Sequence, residues 1–314
     1  MGRCAVVALG GNAISTSTGD NFIERQFAQT RKSMAGILEL IRKGYRLAIT
    51  HGNGPQVGEG LLRMEHSLDI SFPRPLGVLV ADTQGGIGYM IEQSLQNGLR
   101  WRDMEKPVAT LVTQVIVDKD DPELLTPSKY IGRAYPQEVA EKLMQEHGWE
   151  MKLDKARGYR RVVGSPKPLS IVNRDAIKLL LDNDFVVICV GGGGIPVFVM
   201  KNGFYEGVDA VIDKDRAAAI LALDIGAHDL FILTEVDKVA LNFGTPEQKD
   251  LDQMTSAEAK QYLEEGQFPP GSMGPKIEAA ISFLENGGER ALIASIDNVI
   301  GAVYREGGTW ITKE

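Results

Sequence analysis

Short runs of consecutive apolar residues alternate along the chain with longer segments whose apolar positions recur every three or four residues. Cys4 to Leu9 is apolar without a break and reads as a strand buried on both faces. From Phe22 to Lys43, the residues Ile23, Phe27, Met34, Ile37, Leu38 and Ile41 fall on one helical stripe, and Tyr45 to Thr50 reads as the next strand. Strand, helix and strand in that order predict a right-handed crossover between parallel neighbours. The same reading places strands at Val108 to Val117, Phe185 to Val190, Leu230 to Thr234 and Ala291 to Ser295. It places helices at Leu76 to Gln96, Asn173 to Leu181, Arg216 to Leu223, Ala257 to Leu263 and Lys276 to Asn286. The expected class is α/β, with a mostly parallel sheet covered by helices on both faces.

One stretch breaks the rhythm. From Asp118 to Pro168 the chain carries Asp-Asp-Pro, Thr-Pro-Ser-Lys and the arginine-rich run Arg157 to Arg161. It reads as a protruding subdomain or lid, residues 118–168, inserted into one domain of residues 1–314.

Composition narrows the function. A chain of 314 residues with 43% apolar and 24% charged residues is an ordinary globular mixture and not a disordered or fibrous one. The net charge of −8 disfavours nucleic acid or an anionic membrane as a partner, so any anion must be met by local positive charge. No apolar run approaches the roughly 18 residues of a spanning helix, and the first residues show no cleavage pattern, which points to the cytoplasm. Cys4 and Cys189 lie in strand-like runs and read as buried thiols.

Glycines gather where strands end: Gly10-Gly11-Asn12 after the first, Gly52-Asn53-Gly54 after the second and Gly191 to Gly194 after another, with Gly85-Gly86 inside a helical region. At the carboxyl ends of parallel strands such loops let backbone N–H groups approach a phosphate or carboxylate. The G-x-x-x-x-G-K-[ST] motif is absent, and Gly52, Gly54 and Gly58 miss the dinucleotide spacing by one residue. The protein-kinase motifs, the G-x-S-x-G elbow and metal-ligand spacing among His51, His66, His147 and His228 are absent too. Three lysines stand out: Lys129 in Thr-Pro-Ser-Lys, Lys214 between Asp213 and Asp215, and Lys276 after Pro275. A lysine near a helix N-terminus is electrostatically misplaced unless an anion binds there, and phosphoryl transfer asks chiefly for cations and N–H donors around the moving group.

Together ALGGNAI at 8–14, HGNGPQVG at 51–58, QGGIGYM at 84–90, GGGGIPV at 191–197, EGVDAVIDKD at 206–215, LNFGTPEQ at 241–248 and GSMGPK at 271–276 resemble the carbamate kinases of the amino acid kinase superfamily. The resemblance spans nearly the whole chain. It implies a three-layer αβα sandwich on a mainly parallel sheet of about eight strands, with a small protruding subdomain. It implies reversible transfer between ATP and carbamate, giving ADP and carbamoyl phosphate, run towards ATP in arginine or purine breakdown. Mg²⁺ would arrive with the nucleotide, and the chain would form a homodimer through helices of the sandwich. By the same resemblance Lys129, Lys214 and Lys276 neutralise phosphate and Asp215 orients the lysines. Gly10, Gly11, Asn12, Gly52, Asn53 and Gly54 hold carbamate and the phosphoryl group, while Asn242, Phe243, Gly244, Met273 and Gly274 line the nucleotide side. Another small-carboxylate kinase of the superfamily and a binding module without chemistry are the rival readings. One departure stands in the lysine loop: the family's Pro-Thr-Lys-Pro-Ile-Gly is here Pro127-Ser128-Lys129-Tyr130-Ile131-Gly132, and the lost proline is expected to loosen it.

Overall fold

Every residue of the strand Cys4–Leu9 is buried, and its side chains divide by parity. Cys4, Val6 and Ala8 enter the apolar cluster on one face of a sheet, and Ala5, Val7 and Leu9 enter the cluster on the other. Leu230 and Ile232 against Phe231 and Leu233 divide in the same way on the neighbouring strand. In this computed structural model, which describes residues 2–15, 22–68, 70–155, 157–304 and 306–314, these strands lie in an eight-stranded sheet. Across it run Gln253–Thr255, Thr309–Thr312, Arg290–Ser295, Asp229–Thr234, Cys4–Leu9, Arg46–His51, Val186–Ile188 and Val108–Thr110. All pairings are parallel except that of Thr309–Thr312 with Arg290–Ser295.

Helices Ile23–Arg42 and Leu76–Trp101 cover one face through Met34, Ile37, Ile87 and Ile91. Arg174–Asp182, Lys214–Asp224, Ser256–Glu264 and Met273–Glu285 cover the other through Ile177, Leu221, Ala259 and Phe283. The result is the expected αβα sandwich with a mainly parallel sheet. Fully buried Phe231 packs edge-on against Tyr45 and Trp310, and burying such a side chain contributes about 1.5–3 kcal/mol. No helix among the described residues is long and apolar enough to cross a membrane.

The apolar run Val108 to Val117 is two strands, not one. Val108–Thr110 ends the main sheet, while Gln114–Val117 joins a second sheet ordered Tyr205–Gly207, Ile195–Val199, Gln114–Val117 and Pro168–Ile171. Between them the buried Gln84 side chain takes the place of a strand neighbour: its Oε1 accepts from Thr113 N at 2.7 Å and its Nε2 donates to Thr113 O at 3.2 Å. Gly54–His66 forms a helix that the Gly-Asn-Gly-Pro opening conceals in the sequence.

Residues 118–168 hold the short helix Pro122–Leu125, the helix Gln137–His147 and a three-stranded antiparallel sheet of Lys129–Tyr135, Gly158–Val163 and Met151–Asp154. Tyr135, Ala140 and Met151 give this unit an apolar cluster of its own, and Ile131 and Val163 pack on Val57 and Leu61 of the helix Gly54–His66. The two departures in the lysine loop each make a contact. Ser128 donates to Glu123 Oε2 at 3.1 Å, and Tyr130 Oη donates to Leu153 O at 3.1 Å.

Candidate functional site

Gly10 follows the first strand, Gly52 the second and Glu235 the strand Asp229–Thr234, so the three parallel strands open their carboxyl ends on one edge. Gly10 approaches its neighbour so closely that an added Cβ would lie 3.0 Å from Leu233 O. There Gly10, Gly11 and Asn12, with Thr234 and Glu235, wall a cavity of about 470 Å³ that Lys214, Phe243, Met273 and Lys276 complete. This size suits a cofactor or nucleotide.

Two helices begin at this cavity. Asp213 caps Lys214–Asp224, its Oδ1 accepting from Asp215 N at 2.9 Å and Arg216 N at 3.3 Å. Asp215 takes the other role open to it: its side chain is buried and holds Lys214 Nζ at 2.5 Å on Oδ1 and Lys276 Nζ at 3.0 Å on Oδ2. Burial pushes the Asp215 carboxyl up, but the two ammonium charges and the hydrogen bonds they donate outweigh it and hold it below the usual carboxylate range. Three charged groups thus carry one net positive charge at the mouths of two helices, where the backbone also favours an anion. Lys276 is the fourth residue of Met273–Glu285 and Pro275 the third, so the helix begins three residues before the Lys276 that the sequence predicts as its start.

Lys129 lies apart from the other two lysines. It lines a larger, open cleft of about 910 Å³ with Asn53, Gly54, Arg157 and Arg160. Asp213 joins the two spaces, since its Oδ2 is 3.5 Å from Lys129 Nζ while its Oδ1 caps the Lys214 helix. Gly52 sits at the junction, where an added Cβ would lie 3.4 Å from Gly11 N and 3.5 Å from Lys214 Cδ.

The glycines Gly191 to Gly194 do not line either space; all four are buried. They make room for neighbours: a Cβ on Gly191 would fall 2.4 Å from His51 Nε2, and one on Gly192 would fall 2.0 Å from Asn53 Nδ2. His51 is buried and its Nδ1–H donates to Gly52 O at 3.0 Å. Burial pushes its pKa down to about 4, against the partly opposing backbone hydrogen bond, so the ring is neutral at pH 7. Above its ordinary value of 6.5 the group is neutral folded or unfolded; between 6.5 and 4 only the unfolded chain takes the proton. Stability is therefore expected to fall by about 3 kcal/mol from this ring as pH drops through that window. Urea unfolding of the parent and of His51→Gln at pH 7 and pH 4 checks it: the variant should lose less stability over the interval by about that amount.

Of the residues that the resemblance assigns to a nucleotide, Phe243 and Met273 line the smaller cavity, whereas Asn242, Gly244 and Gly274 do not. Asn242 N donates to Gln267 Oε1 at 2.9 Å and Gly244 N to Gln248 Oε1 at 3.0 Å, which folds the loop, and Gly274 N closes a turn on Pro269 O at 2.9 Å. Glu235, Lys238, Gln267 and Phe268 also line the cavity and escape the sequence reading. Glu235 carried the same signal as the glycine loops, a position just past a strand's carboxyl end. Lys238, held by Asp252 at 2.5 Å, carried none. Among the described residues no three or more His, Cys, Asp or Glu side chains gather as a metal site.

The amino acid kinase family matches residues 3–295. The carbamate kinase of Thermococcus kodakarensis is 48% identical over 312 residues, covering 98% of this chain and 99% of that protein. The carbamate kinase of Clostridium perfringens is 47% identical with the same coverage. The solved structure of the Giardia lamblia carbamate kinase bound to AMP-PNP superposes with a TM-score of 0.95 at 37% identity, over 100% of this chain and 99% of that one.

Proposed function

We propose, on the premise that this chain belongs to the amino acid kinase family and is an enzyme transferring a phosphoryl group between ATP and carbamate, that Lys214, Lys276 and Asp215 form its charge-stabilising centre. The observation that carries the assignment is the buried carboxylate holding two lysines at the mouths of two helices. In the transition state negative charge spreads over the oxygens of the moving group, and two ammonium ions fixed beforehand meet it without reorganising. Asp215 acts as the anchor and not as a base, because both its oxygens are engaged by lysines. Carbamate is already an anion, so its attack on the γ-phosphorus of ATP requires no proton acceptor.

The nucleotide occupies the smaller cavity, where Phe243 and Met273 face it and Gly10, Gly11 and Asn12 hold the phosphoryl group being transferred. Gly52, Asn53, Gly54 and Lys129 hold carbamate and the outgoing phosphoryl group on the other side. The stretch 118–168 is the lid carrying Lys129 to that side. The site suits Mg²⁺ held chiefly by nucleotide oxygens, since Asp215 is taken by lysines and Glu235 is the acidic side chain on the cavity wall. Such an ion neutralises phosphate charge when bound. A homodimer is supported by the exposed stripe Val78 and Tyr89 on Leu76–Trp101 with Phe72 just before it; light scattering at twice the chain mass would confirm it.

The test is ATP formation from ADP, Mg²⁺ and carbamoyl phosphate, with acetyl phosphate and acetylglutamyl phosphate as rival donors and Lys276→Ala as the blank. ATP from carbamoyl phosphate alone, lost in the blank, is the expected result. ATP from a rival donor, or an undiminished blank, overturns the assignment.

A further inference from the structure

Arg160 and Arg161 are neighbours on the strand Gly158–Val163 and serve opposite faces. Arg160 lines the cleft of Lys129, while Arg161 lines a separate cavity behind the small sheet. Its side chain is 15% exposed, its guanidinium lies 4.7 Å from the centre of the Trp149 ring, and its Nη2 is 3.7 Å from Asp209 Oδ2. A guanidinium so far withdrawn from water needs an opposing charge, and Asp209 supplies it. Trp149 and Arg161 belong to the 118–168 stretch, but Asp209 belongs to the body.

Asp209 has a second tie, because its Oδ1 accepts from Leu76 N at 2.9 Å and so caps the helix Leu76–Trp101. It also opens a short connection that ends on the centre described above. Ala210 bridges Gly164 and Val211 N donates to Gly164 O at 3.0 Å; Ile212 is buried; Asp213 caps the Lys214 helix and faces Lys129. Five consecutive residues therefore run from the Arg161 contact to the Lys129 contact, pinned midway to the base of the small sheet.

We propose that Arg161 and Asp209 are positioning residues, a latch that seats the Lys129–Tyr135 strand against the connection 209–213 and so keeps Lys129 beside Asp213. The proposal rests on the reading that Lys129 takes part in transfer. At 3.7 Å the pair is an attraction between charges and not a hydrogen bond, so it fixes where the sheet sits without locking its shape. The nucleotide side, walled by other elements, is outside its reach.

The test is steady-state ATP formation by Asp209→Asn, Arg161→Gln and their combination, in the parent and in Lys129→Ala. Asparagine keeps an oxygen for Leu76 N and loses only the charge. Each single variant should lose roughly tenfold in kcat, the double should lose no more than either, and the KM for ADP should stay within about twofold. Arg161→Lys should recover part of the rate, and Asp209→Asn should change nothing further in Lys129→Ala. Additive losses with Lys129→Ala, or an equal rise in both KM values tracking a lowered melting temperature, overturn the latch. A parent-like rate in Lys129→Ala alone removes Lys129 from the site, and the latch with it.

Discussion

Lys214→Ala and Lys276→Ala are each expected to lose about 100- to 1,000-fold in kcat for ATP formation, the range seen when one preorganised donor to a developing charge is removed. The loss should appear equally in kcat/KM, because in the proposed role the ammonium groups would meet more charge in the transition state than in the bound substrates. The fold should survive in both cases. Asp215 keeps one of its two lysines in either variant, so no buried charge is orphaned. Asp215→Ala behaves differently: both lysines then stand at helix N-termini without their counter-charge, and stability should fall together with rate. Initial rates beside thermal melts separate the two patterns. Rates near the parent's in either lysine variant would remove the charge-stabilising role.

The sequence revealed the parts of this site that follow from local rules and hid those that depend on which elements meet. Cys4–Leu9 and Ile23–Arg42 were legible because a doubly buried strand is apolar throughout and a half-buried helix is striped. Gly10 to Asn12 and Lys214 were legible because glycine past a strand and a lysine among capping aspartates are locally unusual. Val108 to Val117 misled, since an apolar run does not reveal that its partners change at Thr113, where a glutamine from a distant helix replaces a strand. The local pattern around Lys214 does not tell its two aspartates apart; the resemblance assigns Asp215 to the lysines, and the approach of Lys276 from 61 residues away gives that carboxylate its second lysine. The four glycines from Gly191 resemble an anion cradle in sequence. In three dimensions Gly191 and Gly192 are the space into which His51 and Asn53 fit, while Gly193 and Gly194 lie against Ile212 and Val115.

That role makes Gly192→Ala a strongly damaging substitution. Gly192 has φ 66°, a left-handed conformation that costs an alanine about 1 kcal/mol or more before any contact is considered. The new methyl would then stand 2.0 Å from Asn53 Nδ2 and 2.3 Å from its Cγ. Asn53 has little freedom to yield, being buried and donating to Thr83 Oγ1 at 2.9 Å. Either its side chain swings out of the cleft proposed for the acceptor, or the glycine loop moves from His51 and the end of the second strand. Both routes should lower kcat/KM for carbamoyl phosphate by about 100-fold, a loss typical of an angstrom-scale misplacement at a reacting centre. Asn53→Ala alone should match that loss with a smaller drop in melting temperature. The double variant Gly192→Ala/Asn53→Gly relieves the clash, so it should regain stability while remaining as slow as Asn53→Ala. Recovery of rate in the double variant would show that Gly192 acts on something other than Asn53, and an unchanged rate in Gly192→Ala would show that the loop yields freely.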